Sequence, residues 1–209
     1  MIIATAIAVS AGYLLGSVSP GLLIGRLHGV DVREFGSGKT GVTNVLRSVG
    51  RLAAAVVFFA DVGKGTIAVL IGSRLFDEPW AAALGGVAVV VGHNWPVFTG
   101  FRGGRGVATA FGAFLAIDPV SALLVLIGGG VALVATRYMS LVSVTGVLVG
   151  AIVFITRVNS DAIAAEYVAF VLPVATMIEI NHVGNIRRLL AGTEPKLGQG
   201  GTQREQPGT

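Results

Sequence analysis

Apolar residues run through this chain in long blocks, and short glycine-rich or polar breaks divide them into seven segments at about 3–27, 52–75, 80–92, 106–117, 120–136, 141–156 and 162–180. A helix needs about 20 mostly apolar residues to cross a bilayer, where backbone polar groups must be satisfied within the segment itself. The pattern therefore predicts an all-α integral membrane protein with about seven transmembrane helices. The third and fourth segments are short enough to be tilted, half-buried or partly re-entrant, and Asp118-Pro119 reads as the tight turn closing the fourth. Residues 1–198 form one membrane domain on this reading, and the polar, Gly/Gln-rich stretch 199–209 is predicted to be a disordered tail.

Composition agrees with the pattern: 53% of residues are hydrophobic, only 12% are charged, and mean hydropathy is +0.80. A net charge of +4 and a pI near 10.0 would suit a nucleic-acid binder, but the basic residues sit in short loops between apolar segments. Topology explains them better, and no nucleic-acid partner is expected. Cysteine is absent, which removes disulfides, thiolate metal sites and thiol nucleophiles. His28, His93 and His182 are too scattered for a zinc motif, so no metal site is expected. The first residues lack the basic region of a cleavable signal, and the first segment is read as a span.

Lysine and arginine are distributed very unevenly over the predicted loops. Twelve fall on one side, two (Arg74 and Arg157) on the other, and Lys64 lies within a span. The positive-inside rule then puts the N-terminus outside and the C-terminus in the cytoplasm. Every glycine-rich or polar motif falls on the cytoplasmic side.

Those motifs carry the chemistry. Gly36-Ser37-Gly38-Lys39-Thr40-Gly41, followed by Thr43, Asn44 and Arg47, is dense in hydrogen-bond donors. A nucleotide P-loop needs a glycine where Arg33 stands and a strand before it, so an anion-binding loop or a plain capped turn remains. Phe101-Arg102-Gly103-Gly104-Arg105-Gly106 opens a helix, and the positive helix end beside two guanidinium groups favours a phosphate or oxyanion. Headgroup contacts by juxtamembrane arginines are the plainer alternative. His93, just ahead of this segment, reads first as a structural histidine. Asp61 and Lys64 lie three apart within the second span, where each charge costs about 2.5–3.5 kcal/mol at the bilayer centre. They should pair, or line a polar cavity. Ser140 and Ser143 open onto one helix face, with back-bonding to the helix as the alternative. His182 and Asn185 share a face where the last helix leaves the membrane. Gly12, Gly16, Gly21 and Gly25 read as a small-residue packing face.

These blocks, in this order, resemble the bacterial acyl-phosphate:glycerol-3-phosphate acyltransferase family. The resemblance rests on Gly16 to Pro20, Gly36 to Gly38 with Thr43, Asn44 and Arg47, Asp61 to Gly65, Gly92 to Thr109, and His182 to Lys196. It implies a multi-pass enzyme of the bacterial cytoplasmic (inner) membrane, with short half-helices near an active site that faces the cytoplasm. Acyl transfer from acyl phosphate to the 1-hydroxyl of glycerol 3-phosphate would give lysophosphatidic acid and phosphate, the first step of phospholipid synthesis. No cofactor is implied. The expected partners are the two substrates, the bilayer and an upstream enzyme that makes acyl phosphate. Ser37, Arg105, His182 and Asn185 are the implied catalytic residues. Gly36, Gly38, Thr43, Asn44, Arg47, Arg102, Gly103, Gly104, Ser143 and Glu194 are the implied substrate-binding ones. The chain departs from the usual pattern at Lys39 (usually asparagine), Val42 (usually alanine), and Arg102 and Arg105 (usually lysines). A small organic-anion transporter or channel with a Gly/Arg-lined site is the alternative reading.

Overall fold

The first span is broken where Pro20 interrupts it. In this computed structural model, which describes residues 1–199 and 201–203, α1 (Ile2–Ser17) ends before Val18-Ser19 and α2 (Pro20–Leu27) resumes the same span. Proline has no N–H to return to Gly16, so that carbonyl loses its helical partner. Lys64 replaces it: Nζ donates to the carbonyls of Gly16 at 3.2 Å and Val18 at 3.0 Å.

A short helix, α3 (Val42–Ser48), follows the first polar loop. Then come α4 (Arg51–Leu70), continued by a wider turn to Leu75, and α5 (Pro79–Asn94). After the glycine-rich loop the chain forms α6 (Val107–Ile117), α7 (Pro119–Thr136), α8 (Met139–Asn159) and α9 (Val168–Leu190). Among the described residues six spans are long and apolar enough to cross a membrane, and α6 is a shorter apolar helix. The all-α membrane architecture stands. At 11 residues α6 is about 16 Å long, too short to span, and the end of the loop before it, at Gly103, Gly104 and Gly106, is buried in the bundle.

Small residues bring the helices together, as expected, but not along one seam. A Cβ on Gly12 or Gly16 would strike the α5 backbone at Gly85 or Val89, and one on Gly92 would strike Tyr13 of α1. Gly21 and Gly25 lie beyond the proline break and press instead on the first loop, at Thr40 and at Val30 and Val32. Helices α4 and α6 approach equally closely through Gly65 and Gly112, where the Thr66 hydroxyl also donates to the Gly112 carbonyl at 2.9 Å. Beneath α6 the core is sealed by Phe114, whose ring meets Phe154 and Phe170 edge-on at 5.3 and 5.2 Å.

The last helix runs on to Leu190, ten residues past the hydropathic segment. Hydropathy falls there because the face carrying His182 and Asn185, 1% and 5% exposed, turns inward to polar groups rather than to lipid. Residues 201–203 of the expected disordered tail lie on the first loop: Gly36 N–H donates to the Thr202 carbonyl at 3.1 Å, and Phe35 bridges to Gln203. Residue 200 and residues 204–209 of that tail lie outside the described residues.

Candidate active site

The first polar loop is built around one side chain. Asn44 Nδ2 donates to the carbonyls of Val32 (2.6 Å), Lys39 (2.8 Å) and Phe35 (3.1 Å), and its Oδ1 accepts from the Ser37 N–H at 3.3 Å. Both N–H groups are thus committed to the backbone, and Asn44 organises the loop. Gly36 and Gly38 have φ of 48° and 68°, left-handed values that a side chain resists, so these glycines make the turns. Neither lies on the cavity wall that the loop forms with Ser37, Lys39, Gly41, Thr43 and Arg47.

The second wall is the segment before α6. Gly103 and Gly104 are buried against α5: Gly104 N–H donates to the His93 carbonyl at 3.0 Å, and a Cβ on either glycine would strike His93. Arg105 follows at once and lines the cavity, while Arg102 is exposed and stands outside the lining.

The third wall comes from α9 and the turn after it. Gly192, at φ 68°, reverses the chain so that Glu194 folds back, accepting from Asn185 Nδ2 and Arg188 Nε at 2.7 Å each. Burial alone would raise the Glu194 pKa, but the donors bonded to it (Asn185 and Arg188), with the Ser140 hydroxyl nearby, outweigh burial and hold it low. His182 Nδ1 lies 2.8 Å from the Ile178 carbonyl, which can only accept. Nδ1 therefore carries the hydrogen in the neutral ring, and Nε2 keeps a free lone pair. Ser140 and Ser143 both reach the cavity from α8, and Ser143 also donates to the Met139 carbonyl at 3.0 Å.

These walls enclose a cavity of about 420 Å³ with two unlike halves. The apolar half is a trough of Phe111, Phe114, Val125, Leu126, Val142 and Val147, with Gly129, Gly130 and Gly146 leaving room between them. The polar half holds Lys39, Arg47 and Arg105. None of the three joins an ion pair among the described residues; the nearby carboxylates pair elsewhere, Asp61 with Lys64 at 2.8 Å and Glu194 with Arg188. The Nε atoms of Arg47 and Arg105 are buried without a partner among the described residues. Burial lowers the pKa of all three cations. It brings Arg105 to about 10, with Glu194 attracting and Arg188 and Arg47 repelling, so Arg105 is charged at neutral pH. Such a half-cavity accepts anions. No group of three or more metal-ligating side chains comes together among the described residues.

Most of the residues singled out in the sequence thus converge: Ser37, Thr43, Asn44, Arg47, Arg105, Ser143, His182, Asn185 and Glu194 all line one cavity. Gly36, Gly38, Arg102, Gly103 and Gly104 do not. Lys39, Ser140, Asp61 and His93 join the lining without having been assigned to it. An ionised pair in an apolar helix was the available signal for Asp61. For His93 the signal was its place in the Gly92 to Thr109 block, but it read first as structural, because only the fold brings it beside α4.

The chain matches the family model for glycerol-3-phosphate acyltransferase over residues 6–192. It is 43% identical over 204 residues to a glycerol-3-phosphate acyltransferase of Synechococcus sp. (strain CC9902), covering 96% of this chain and 99% of the relative. It is 46% identical over 199 residues to that of Clostridioides difficile (strain 630), covering 92% and 95%. Among solved structures it resembles PlsY (YgiH), an integral membrane glycerol 3-phosphate acyltransferase. The glycerol 3-phosphate form gives a TM-score of 0.86 at 37% identity over 93% of this chain and 96% of the other. The lysophosphatidic acid form gives 0.83 at 36% identity over 92% and 94%.

Proposed function

Starting from a chain that belongs to the glycerol-3-phosphate acyltransferase family, we propose that its acyl donor is a fatty acyl phosphate and that both substrates meet in the two-part cavity. The observation that carries this reading is the set of three cations that have no carboxylate partner among the described residues and lie beside an apolar trough. One substrate phosphate is too little charge for them; glycerol 3-phosphate and an acyl phosphate together bring two. The apolar trough next to the cations also suits a donor whose acyl chain and phosphate lie side by side, as in an acyl phosphate. The transport reading is set aside, since the family carries out acyl transfer.

In the reaction the 1-hydroxyl oxygen of glycerol 3-phosphate attacks the acyl carbonyl, a C–O ester bond forms, and the C–O bond to phosphate breaks. Phosphate is a good leaving group, so neither a covalent enzyme intermediate nor a metal is required. Arg47, Arg105 and Lys39 neutralise and orient the phosphates, and Ser37 and Thr43 add neutral donors. Positive charge and backbone N–H groups at the start of α6 stabilise the tetrahedral oxyanion. The hydroxyl proton goes to His182 Nε2, whose lone pair is kept available by the Nδ1 bond, or to a substrate phosphate oxygen. Asn185, fixed by Glu194, orients the glycerol phosphate. Asn44, Gly36, Gly38, Gly103 and Gly104 act through the backbone they shape, and Arg102 meets headgroups at the surface. The concentration of basic residues on one side supports a cytoplasmic active site in the inner membrane, supplied by an enzyme that makes acyl phosphate there.

Purified enzyme given glycerol 3-phosphate and palmitoyl phosphate is expected to release phosphate and form lysophosphatidic acid. Product formation from palmitoyl-CoA, with none from palmitoyl phosphate, would overturn the donor assignment.

A further inference from the structure

A buried polar column runs from the α1 break to the cationic wall of the cavity, and the mechanism above uses none of its side chains. At one end Lys64 holds the open carbonyls of Gly16 and Val18. Lys64 Nζ lies 2.8 Å from Asp61 Oδ1, and the same oxygen lies 3.3 Å from His93 Nδ1. The three side chains are between 1% and 6% exposed, so this charge is retained inside the bundle at substantial desolvation cost. At the other end the His93 ring and carbonyl form the surface on which Gly103 and Gly104 lie. The carbonyl takes the Gly104 N–H at 3.0 Å, and the position of a Gly104 Cβ is occupied by His93 Nε2. Arg105, the next residue, turns into the cavity.

We infer that His93, oriented by Asp61, is the positioning residue that sets where Arg105 presents its guanidinium to substrate phosphate. Asp61 Oδ1 makes no well-aligned hydrogen bond, but its negative charge 3.3 Å from Nδ1 favours the hydrogen on that nitrogen and biases the plane of the ring. The ring plane fixes how closely the Gly103-Gly104 backbone can approach. Glycine at 104 is then required because the ring fills the space of a side chain, and the two residues form one fitted contact. An ordinary hydrophobic residue at 93 would bury more cheaply but would neither face the Asp61 charge nor hold the loop at this height. The inference rests on Arg105 as a phosphate ligand.

The test is a double-mutant cycle on the purified enzyme, with kcat and KM measured for both substrates. Arg105→Ala should raise KM for one phosphate substrate and lower kcat/KM. His93→Ala should raise KM for that same substrate and lower kcat/KM about tenfold in the wild-type background. In the Arg105→Ala background it should change kcat/KM by less than about twofold, because the group it positions is gone. His93→Gln, whose amide can donate to Asp61, should recover activity to within about threefold of wild type. An undiminished His93→Ala loss in the Arg105→Ala background would overturn the inference, as would wild-type kinetics for His93→Ala. If Arg105→Ala alone has wild-type kinetics, the phosphate assignment of Arg105 falls first, and the inference with it. Should His93→Ala fail to assemble, Gly104→Ala, which displaces the same contact from the loop side, carries the cycle with the same expected and overturning results.

Discussion

Two polar clusters sit near the two ends of α8, about 25 Å apart along its axis, and they handle charge in opposite ways. At the far end Asp118 caps α7, accepting from the Ser121 N–H at 3.0 Å and hydroxyl at 2.5 Å, while Arg157 Nε and Nη2 grip its two oxygens at 2.6 and 3.0 Å. Both charges are answered there. At the near end, beside Ser140 and Ser143, Arg47 and Arg105 keep buried Nε atoms without partners among the described residues, and no carboxylate there pairs with Lys39. In a paired cluster each charge offsets the other's burial, and breaking it is costly, whereas cations without a direct partner keep a desolvation cost that an incoming anion would relieve further. The difference locates function more sharply than the presence of charge does.

Substitutions should separate the two clusters. The largest effect is expected for His182→Ala, with a loss of about 10²–10⁴-fold in kcat if Nε2 takes the proton. Near wild-type turnover in a folded preparation would leave proton transfer to the substrate phosphate. Arg105→Ala should lower kcat/KM by about 10–150-fold, the value of one charge-assisted hydrogen bond of about 1.5–3 kcal/mol. It should also remove most of the rise in melting temperature that inorganic phosphate produces in the wild type, a rise worth about 2.7 kcal/mol at a hundred times Kd. Gly146→Leu, which fills the trough without touching the cations, is expected to cost about tenfold in kcat/KM with palmitoyl phosphate and much less with an eight-carbon donor. Equal losses with both donors would remove the trough as the acyl site.

At the paired end the sign reverses between stability and activity. Asp118→Ala should lower stability by about 1–3 kcal/mol in a detergent melt and leave kcat per folded enzyme unchanged. Burial raises the Asp118 pKa, but Ser121 and Arg157 more than offset it and hold the folded value below the ordinary 3.8. Its contribution is therefore complete above pH 3.8 and is lost as pH falls through the lower folded value. The acid limb of a stability–pH curve should flatten in Asp118→Ala; an unchanged limb would assign acid lability to other carboxylates.

Much of this organisation was legible along the chain. The spans followed from apolar run lengths, because a bilayer requires them whatever the packing. The short fourth segment, α6, and the seams of small residues could be read for the same reason. Individual roles were harder to read. Asn44 looked like a ligand for an anion because asparagine in a glycine-rich loop offers donors, yet its amide is spent on the carbonyls of Val32, Phe35 and Lys39. Arg102 and Arg105, three residues apart on either side of two glycines, were both read as site residues, Arg105 as catalytic and Arg102 as substrate-binding. The turn on His93 sends only Arg105 into the cavity.

The sequence by itself determined the membrane class, the number of apolar segments, the uneven placement of basic residues and the set of polar blocks from which a site must be drawn. These depend on local composition and on the solvent each segment meets. Only the tertiary structure decided which donors remain free, because a hydrogen-bond partner is a matter of where distant segments meet. Asp61 of α4 and His93 of α5 are 32 positions apart and meet at 3.3 Å, and Glu194 reaches back to Asn185 through the turn at Gly192. Those meetings commit the carboxylates and, among the described residues, leave three cations without them, the imbalance on which the proposed phosphate end of the cavity rests.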